Sequence, residues 1–361
     1  MIILGIESSC DDTSLALVKD DKTIIAVQTL SQLKHQAFGG VVPEIAARAH
    51  LEAMPYLFDV LLQKANITIK QIDGIAATIG PGLIGGLIVG AHFGRGLALA
   101  TDKKFFPINH LEGHALSPRL AFDLPFPYLL LLVSGGHCQI LSVNGVAHYT
   151  LLGTTRDDAI GECFDKCAKM LGLPYPGGPE IEKLAKLCAD PSVARASFPL
   201  PLPFAGEAHA DFSLSGLKSA FKRLLDQFPS GDIPQKSAAA LAFSLQSTIA
   251  DLILDRLNVA LPAFKNLNPN GHHLVVAGGV AANITIRTAL EAFAKDHHFS
   301  FMAPPLSLCT DNGAMIAWAA HEYHMAGLTL NPDLPCRPRW PLIDMQHVLN
   351  QPPLSSSKDQ S

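Results

Sequence analysis

With 361 residues, 48% of them hydrophobic and 16% charged, the chain is long enough for two domains and apolar enough to bury substantial cores. A formal net charge of −5 and a pI near 6.3 exclude the electrostatic footprint of a self-sufficient nucleic-acid binder, so an RNA substrate would need a local patch or a partner to help hold it. Seven scattered cysteines, an odd number, in a chain without a secretory leader point to reduced thiols in a cytosolic compartment. The most apolar region, residues 80–100, is broken by seven glycines, His92 and Arg95, so a soluble, cytoplasmic protein with no membrane span is expected.

Residues 2–7, 8–13 and 14–18 read as strand, polar turn and strand, a hairpin whose loop carries Asp11, Asp12 and several hydroxyls. Such a loop can face a phosphate, a metal or a partner, or be a solvated turn. Pro43 stands where a first helical residue should, and residues 44–62 carry good helix formers; Arg48 and His50 within them read as surface residues. Residues 72–78 form a strand ending in Gly80-Pro81-Gly82-Leu83-Ile84-Gly85-Gly86, which opens an apolar helix running to about residue 100. These glycines either let backbone N–H groups approach an anion at the helix start or permit close helix packing.

Asn109-His110-Leu111-Glu112-Gly113-His114 follows. Two histidines four apart stand on one face of a helix, about 5–6 Å apart at Cβ, within reach of a single metal ion. In the metalloprotease helix Glu directly follows the first His; here that position is Leu111, and Glu112 lies roughly 200° around the helix, facing away. A bare His-x-x-x-His is a weak sign by itself. Asp311, in a polar turn just before a helix, would complete two imidazoles and a carboxylate, a set suited to Fe(II) or Zn(II). An ion so held would polarise a carbonyl or phosphoryl oxygen as a Lewis acid.

Residues 126–133 are a continuous apolar run, the mark of a strand buried on both faces. The run stops at Ser134-Gly135-Gly136-His137 before a second strand, a turn that offers N–H groups, a hydroxyl and an imidazole, or serves only as a tight hairpin. A helix over 157–171 carries Cys163 and Cys167 one turn apart, with no further zinc-site spacing, so packing is their expected role. Residues 173–179 read as a rigid loop and 192–212 as an irregular surface excursion near a site. Leu241, Leu245, Ile249, Leu252, Ile253 and Leu257 mark a long core helix. A strand at 273–277, closed by Gly278-Gly279 before a helix, echoes the earlier glycine turns and hints at two related α/β lobes, each with a loop facing a shared cleft. A short strand at 299–303, a polar turn at 309–313, a last helix at 314–326, an extended arm at 335–341 and a disordered tail at 351–361 complete the reading.

Several of these stretches, taken together and in order, resemble one family. They are GIESSCDDT at 5–13, GGVVPEIAAR at 39–48, GPGLIGGL at 80–87, HLEGH at 110–114, LVSGGH at 132–137, GECFDK at 161–166, YPGGP at 175–179, FSLSGLK at 212–218, AGGVAAN at 277–283, CTDNGAMIA at 309–317 and RPRWPL at 337–342. The chain is similar to the bacterial TsaD branch of the Kae/Qri/YgjD family, the tRNA adenosine threonylcarbamoyltransferases. The resemblance implies an α/β fold of the actin, Hsp70 and sugar-kinase (ASKHA) type, with two related lobes around a nucleotide cleft. On that pattern residues 1–128 form the N-terminal lobe, completed by about 306–345, residues 129–305 form the C-terminal lobe, and 346–361 are a flexible tail. It implies transfer of the threonylcarbamoyl group from threonylcarbamoyl-AMP to N6 of adenosine 37 in tRNAs reading ANN codons, giving t6A. His110, His114 and Asp311 would hold the metal, and Leu132, Val133, Ser134, Gly135, Gly136, Asp165, Gly178 and Asn283 would bind the adenylate. Asp11, Asp12 and His137 are candidates for the general base by loop position only. TsaB-like and TsaE-like proteins are the implied partners.

The departures from the family pattern are Cys138 for Thr, Cys163 for Ala, Ala49 for Asp, and Asp12 where Glu is common. Losing the carboxylate at 49 puts any charge-pair role there in doubt. Two other readings stay open on the residues: an ATP-dependent kinase or ATPase of the same fold, and a metal-binding scaffold whose partners do the chemistry.

Overall fold

The structure, a computed structural model, describes residues 1–32, 41–229 and 233–349. Gly39 and Gly40 of the 39–48 motif and the expected 351–361 tail lie outside the described residues. The chain divides into two compact units. The first holds residues 1–124, the hairpin tip 145–149 and the chain from Asp311 onward; the second holds 125–144 and 150–310.

In the first unit, β1 (Ile2–Glu7), β2 (Asp12–Lys19), β3 (Ile24–Ser31), β4 (Gly74–Gly80) and β5 (Lys104–Asn109) form one sheet in the order β3-β2-β1-β4-β5. β1 pairs antiparallel with β2 and parallel with β4, and β4 pairs parallel with β5. Successive side chains of a strand point to opposite faces. Gly5 therefore faces one layer and Ile6 the other. A Cβ on Gly5 would lie 2.0 Å from the Gly313 carbonyl oxygen, so the helix Gly313–Met325 lies directly on that face. On the opposite face the helix Ile84–Thr101 presses Gly90 and Gly94 against Ser8 and Ile6, and packs beside the helix Pro43–Ala65.

Of the two readings of the Gly80–Gly86 turn, anion binding and close packing, the contacts favour packing. A Cβ on Gly86 would meet the Ser8 carbonyl oxygen at 2.3 Å, and one on Gly80 the Arg337 carbonyl oxygen at 2.0 Å. The nearby N–H groups are already taken, Gly82 donating to the Pro338 carbonyl and Leu83 to that of Ser9. His50 also departs from expectation. It is fully buried, its ring bonded to the Thr13 hydroxyl at 2.7 Å and the Cys10 carbonyl at 3.0 Å, so it staples the Pro43–Ala65 helix to the 8–13 loop. Arg48 does stay at the surface, paired with Glu44.

The second unit repeats the topology. β6 (Tyr128–Val133), β7 (Cys138–Gly145), β8 (His148–Thr154), β9 (His273–Ala277) and β10 (Ser300–Met302) follow the order β10-β9-β6-β7-β8, the same five-strand order as in the first sheet. Its core is filled by Cys138, Cys163 and Cys167 among the aliphatic side chains and by the buried side of the helix Gln235–Leu267. The expected loops at 173–179 and 192–212 contain helical turns instead, Gly177–Ala185 and Pro191–Ser197. In the 346–361 segment, residues up to Leu349 belong to the short helix Met345–Leu349, which buries Met345 and Val348.

The helices Ile84–Thr101 and Gln235–Leu267 are long and apolar enough, by length and composition, to cross a membrane. That differs from the reading of 80–100 as too interrupted. The longer one is mostly buried, as a core helix is, and the glycine face of the shorter one lies on β1.

Candidate functional site

Asn109 ends β5 and caps the next helix, His110–Ala121, its side-chain oxygen accepting from the N–H groups of Leu111 at 2.9 Å and Glu112 at 3.3 Å. Such a cap contributes about 1 kcal/mol. Its amide also donates to the Trp340 carbonyl, fixing the helix start against the C-terminal arm. Gly113 lets this helix approach the Gly313–Met325 helix, since a Cβ there would lie 2.9 Å from Ile316 Cδ1. Asn312 caps that second helix through Met315 N–H, and the Gly313 N–H donates to Ser14. Asp311 is thereby held at its start.

These constraints bring His110, His114 and Asp311 together, with one ligand atom from each lying within 4.8 Å of the others. His114 Nε2 is 3.0 Å and His110 Nε2 3.7 Å from Asp311 Oδ1. Four-coordinate metal–ligand bonds near 2.1 Å place ligand atoms about 3.4 Å apart, so the spacing suits one ion.

Glu7, which sequence reasoning passed over, stands behind His110. Its carboxylate is fully buried and accepts from the Ser9 N–H at 2.6 Å, the Thr78 hydroxyl at 2.5 Å and His110 Nδ1 at 3.0 Å. A carboxylate can only accept, so Nδ1 carries the proton and Nε2 is turned toward Asp311. The Ser9 hydroxyl lies 3.1 Å from the same Nδ1. Burial works against charge on His110, but the Glu7 and Asp311 carboxylates outweigh it and push its pKa up to about 9. Burial would raise Glu7; the charge and hydrogen bond of His110 overcome it and leave Glu7 lowered. An imidazole between two carboxylates calls for positive charge, supplied by a second proton or by a divalent cation. The residues present therefore fit such an ion, with a carboxylate-backed histidine of the kind that orients metal ligands. His114 has no such backing among the described residues, its Nδ1 being buried without a partner there.

Asp11 and Asp12 lie in the same unit. Burial pushes the pKa of Asp12 up to about 6; a hydrogen bond to Ser31 partly offsets this, while the charges of Asp311, Asp11 and Glu7 add to it. The remaining candidates lie in the second unit; residues 132–136 stand at the C-terminal end of β6, which pairs parallel with β9, the end at which open α/β sheets bind ligands. Leu132 and Val133 are fully buried, so only their main chain can meet a ligand. The Ser134-Gly135-Gly136 turn is closed by His137 N–H donating to the Ser134 hydroxyl, and its carbonyls accept from Gly161 and Glu162 at the next helix start. Gly278 packs against Val133, where a Cβ would lie 2.4 Å from its carbonyl oxygen. Asp165 accepts from Gly177 N–H at 2.7 Å, next to Gly178, and Asn283 caps the helix Ile284–Asp296 while donating to Gln246.

Glu112 faces away from the histidines, as its position on the helix requires. It is fully buried and accepts from the Ala147 N–H at 2.9 Å and the hydroxyls of Tyr149 at 2.7 Å and Tyr323 at 2.8 Å. Burial pushes its pKa up to about 7, and these three bonds only partly offset it. The folded state then binds this proton more tightly than the unfolded chain does. Its contribution is present below pH 4.5, the unfolded value, and is lost as pH rises toward about 7, a swing of about 3 kcal/mol. Glu112→Gln, which mimics the protonated acid, should flatten that part of the stability profile. Urea unfolding of both proteins from pH 5 to 8 checks this, and parallel profiles would contradict it.

Two sheets of one strand order, the first carrying a two-histidine, one-carboxylate cluster, define a two-lobe α/β protein of the ASKHA class. HypF from T. kodakarensis shares the fold with a TM-score of 0.56 at 13% identity, over 90% of this chain and 48% of that one. Component A of (R)-2-hydroxyglutaryl-CoA dehydratase from Acidaminococcus fermentans does so with a TM-score of 0.50 at 16% identity, over 90% of this chain and 99% of that one. The sequence narrows the class. A family model described as TsaD, tRNA N6-adenosine threonylcarbamoyltransferase, matches residues 23–318. Curated proteins of that name are 53% identical in Gluconobacter oxydans, over 95% of this chain and 93% of the relative, and 51% identical in Paramagnetospirillum magneticum, over 95% and 97%. The chain belongs to the TsaD family of tRNA N6-adenosine threonylcarbamoyltransferases and is a transferase.

Proposed function

We propose that this chain transfers the threonylcarbamoyl group from threonylcarbamoyl-AMP to N6 of adenosine 37 in tRNAs reading ANN codons, giving t6A, with a divalent ion, Fe(II) or Zn(II), held by His110, His114 and Asp311. The observation that carries the reading is the convergence of these three side chains in a chain of this family. When bound, the ion supplies Lewis-acid polarisation of a substrate oxygen. The chain's own residues do the rest. Glu7 keeps His110 Nε2 turned toward Asp311. The main chain of Leu132 and Val133, the Ser134–Gly136 turn, Asp165, Gly178 and Asn283 hold the adenylate in this reading. N6 of adenosine attacks the carbamoyl carbon, the bond to the phosphate oxygen breaks, and AMP leaves. An exocyclic adenine amine is a weak nucleophile, so positioning supplies much of the acceleration. Asp11, Asp12 and His137 are the acceptors this reading offers for the departing N6 proton.

The protein works in the cytoplasm with TsaB-like and TsaE-like partners. In support, the first unit's two N-terminal helices expose Leu51, Tyr56, Ile84, Ile88 and Leu99, the last 87% exposed, apolar side chains a partner could cover. The test incubates the chain and its partners with threonylcarbamoyl-AMP and tRNA bearing A37 or G37, and reads the nucleosides by mass. Product only with A37 is expected. ATP hydrolysis without nucleoside modification would favour the kinase reading instead.

A further inference from the structure

The C-terminal arm at 335–341 is fastened through its main chain to Ile79, Gly82 and Asn109, the last of which directly precedes His110, and these bonds leave its arginine side chains to other uses. Arg337 N–H donates to the Ile79 carbonyl at 2.7 Å, the Pro338 carbonyl accepts from Gly82 at 3.2 Å, and the Trp340 carbonyl accepts from Asn109, the residue before His110, at 3.0 Å. Gly80 leaves no room for even a Cβ beneath the arm. Upstream, Arg95 grips the carbonyls of Pro332 and Leu334. An arm held this way loses little freedom on binding a ligand.

Of the chain's ten arginines, Arg48, Arg119, Arg156, Arg195 and Arg256 are paired with carboxylates. Among the described residues Arg95 and Arg287 bond to main-chain carbonyls, and Arg223, Arg337 and Arg339 have no carboxylate partner; the last two stand two residues apart on the arm. Arg337 lies over the buried Trp340 ring at 5.4 Å, and Arg339 is exposed. In a chain of net charge −5, unneutralised guanidinium groups on an arm bonded to Asn109, the residue before His110, have a use where an anion arrives. Two residues along an extended proline-rich segment span about 6 Å, comparable to the step between successive phosphates of a strand. The loops read as binding the adenylate lie in the other unit.

We propose that Arg337 and Arg339 form a contact for the RNA phosphate backbone, gripping the strand on either side of the nucleotide presented to the His110–His114–Asp311 cluster. This rests on the reading of tRNA as substrate and adds the surface by which a weakly acidic chain holds it. Arginine–phosphate contacts release counterions, so each one lost lowers the slope of log affinity against log salt by about 0.7 to 0.9.

The test measures tRNA binding by the full-length chain across a salt series, for the wild type, Arg339→Ala, Arg339→Glu and, as an exposed charge far along the chain, Lys236→Ala. AMP binding is measured alongside. Arg339→Ala should reduce the slope by nearly one and weaken binding roughly five- to eightfold at 0.1 M salt. Arg339→Glu should weaken it further, with AMP affinity unchanged and Lys236→Ala near wild type. An unchanged tRNA slope, an effect on AMP instead of tRNA, or an equal loss in Lys236→Ala would overturn the proposal. Failure of the wild type to modify tRNA would count against the substrate reading alone, because the arm is read from binding.

Discussion

Asp311→Asn should strip the protein of metal and lower threonylcarbamoyl transfer by about a hundredfold or more, while the fold stays intact. The side chain is a quarter exposed, and Asn keeps its shape, so stability should move little. What changes is the charge that faces both Nε2 atoms at 3.0 and 3.7 Å. Replacing His110 and His114 together by alanine should cost as much activity, and stability as well, since Glu7 is then left buried opposite an empty space. Metal analysis of the purified proteins and a transfer assay with threonylcarbamoyl-AMP decide the matter. Full activity and metal content in the double variant would refute the proposed role of the site.

Removing Glu7 should be the most destabilising single change near the cluster. Glu7→Ala strands three buried donors, the Ser9 N–H, the Thr78 hydroxyl and His110 Nδ1, and breaking a buried pair of this kind costs about 3–5 kcal/mol. Glu7→Gln separates structure from positioning. Its amide keeps the volume but must point its NH2 at one of those donors, so His110 loses its fixed tautomer. Metal affinity should then fall about ten- to a hundredfold. Urea unfolding of the alanine variant and a chelator competition with the glutamine variant give the two readouts. If Glu7→Gln held metal as tightly as the wild type, the orienting role would be wrong.

How much of this was legible depends on what each residue competes with. The β1–β2 hairpin, the helix begun by Pro43 and the buried strand ending at Val133 announce themselves because local pattern and final environment agree. β3 is an exposed edge strand of mixed polarity, and β5 carries Pro107, which the sheet tolerates at its other edge but which reads as a break. The helix from Gly177 opens on Gly-Gly-Pro, a loop signature overridden by packing against the helix Ile160–Met170. His50 looked like a surface residue because nothing local shows that Thr13 and Cys10 wait for it. The His110–His114 spacing was visible, and the nearness of Asp311 was only a suggestion, since 197 residues separate it from His114. Glu7 had one available signal: a carboxylate closing an otherwise apolar strand, on the same face as Gly5 and hence toward the Gly313–Met325 helix.

That separation also sets a clock. The two histidines emerge early in synthesis, but Asp311 and the helix that covers the Gly5 face of the first sheet follow only after the whole second unit. At about 5–20 residues per second, translation of the intervening chain takes roughly 10–40 s. Throughout that interval the sheet lacks one of its covering layers and the imidazoles lack their carboxylate. The proposed metal site is thus among the last things the nascent chain can finish, and a ribosome that stops before codon 311 releases a protein with the two histidines and no carboxylate to complete them.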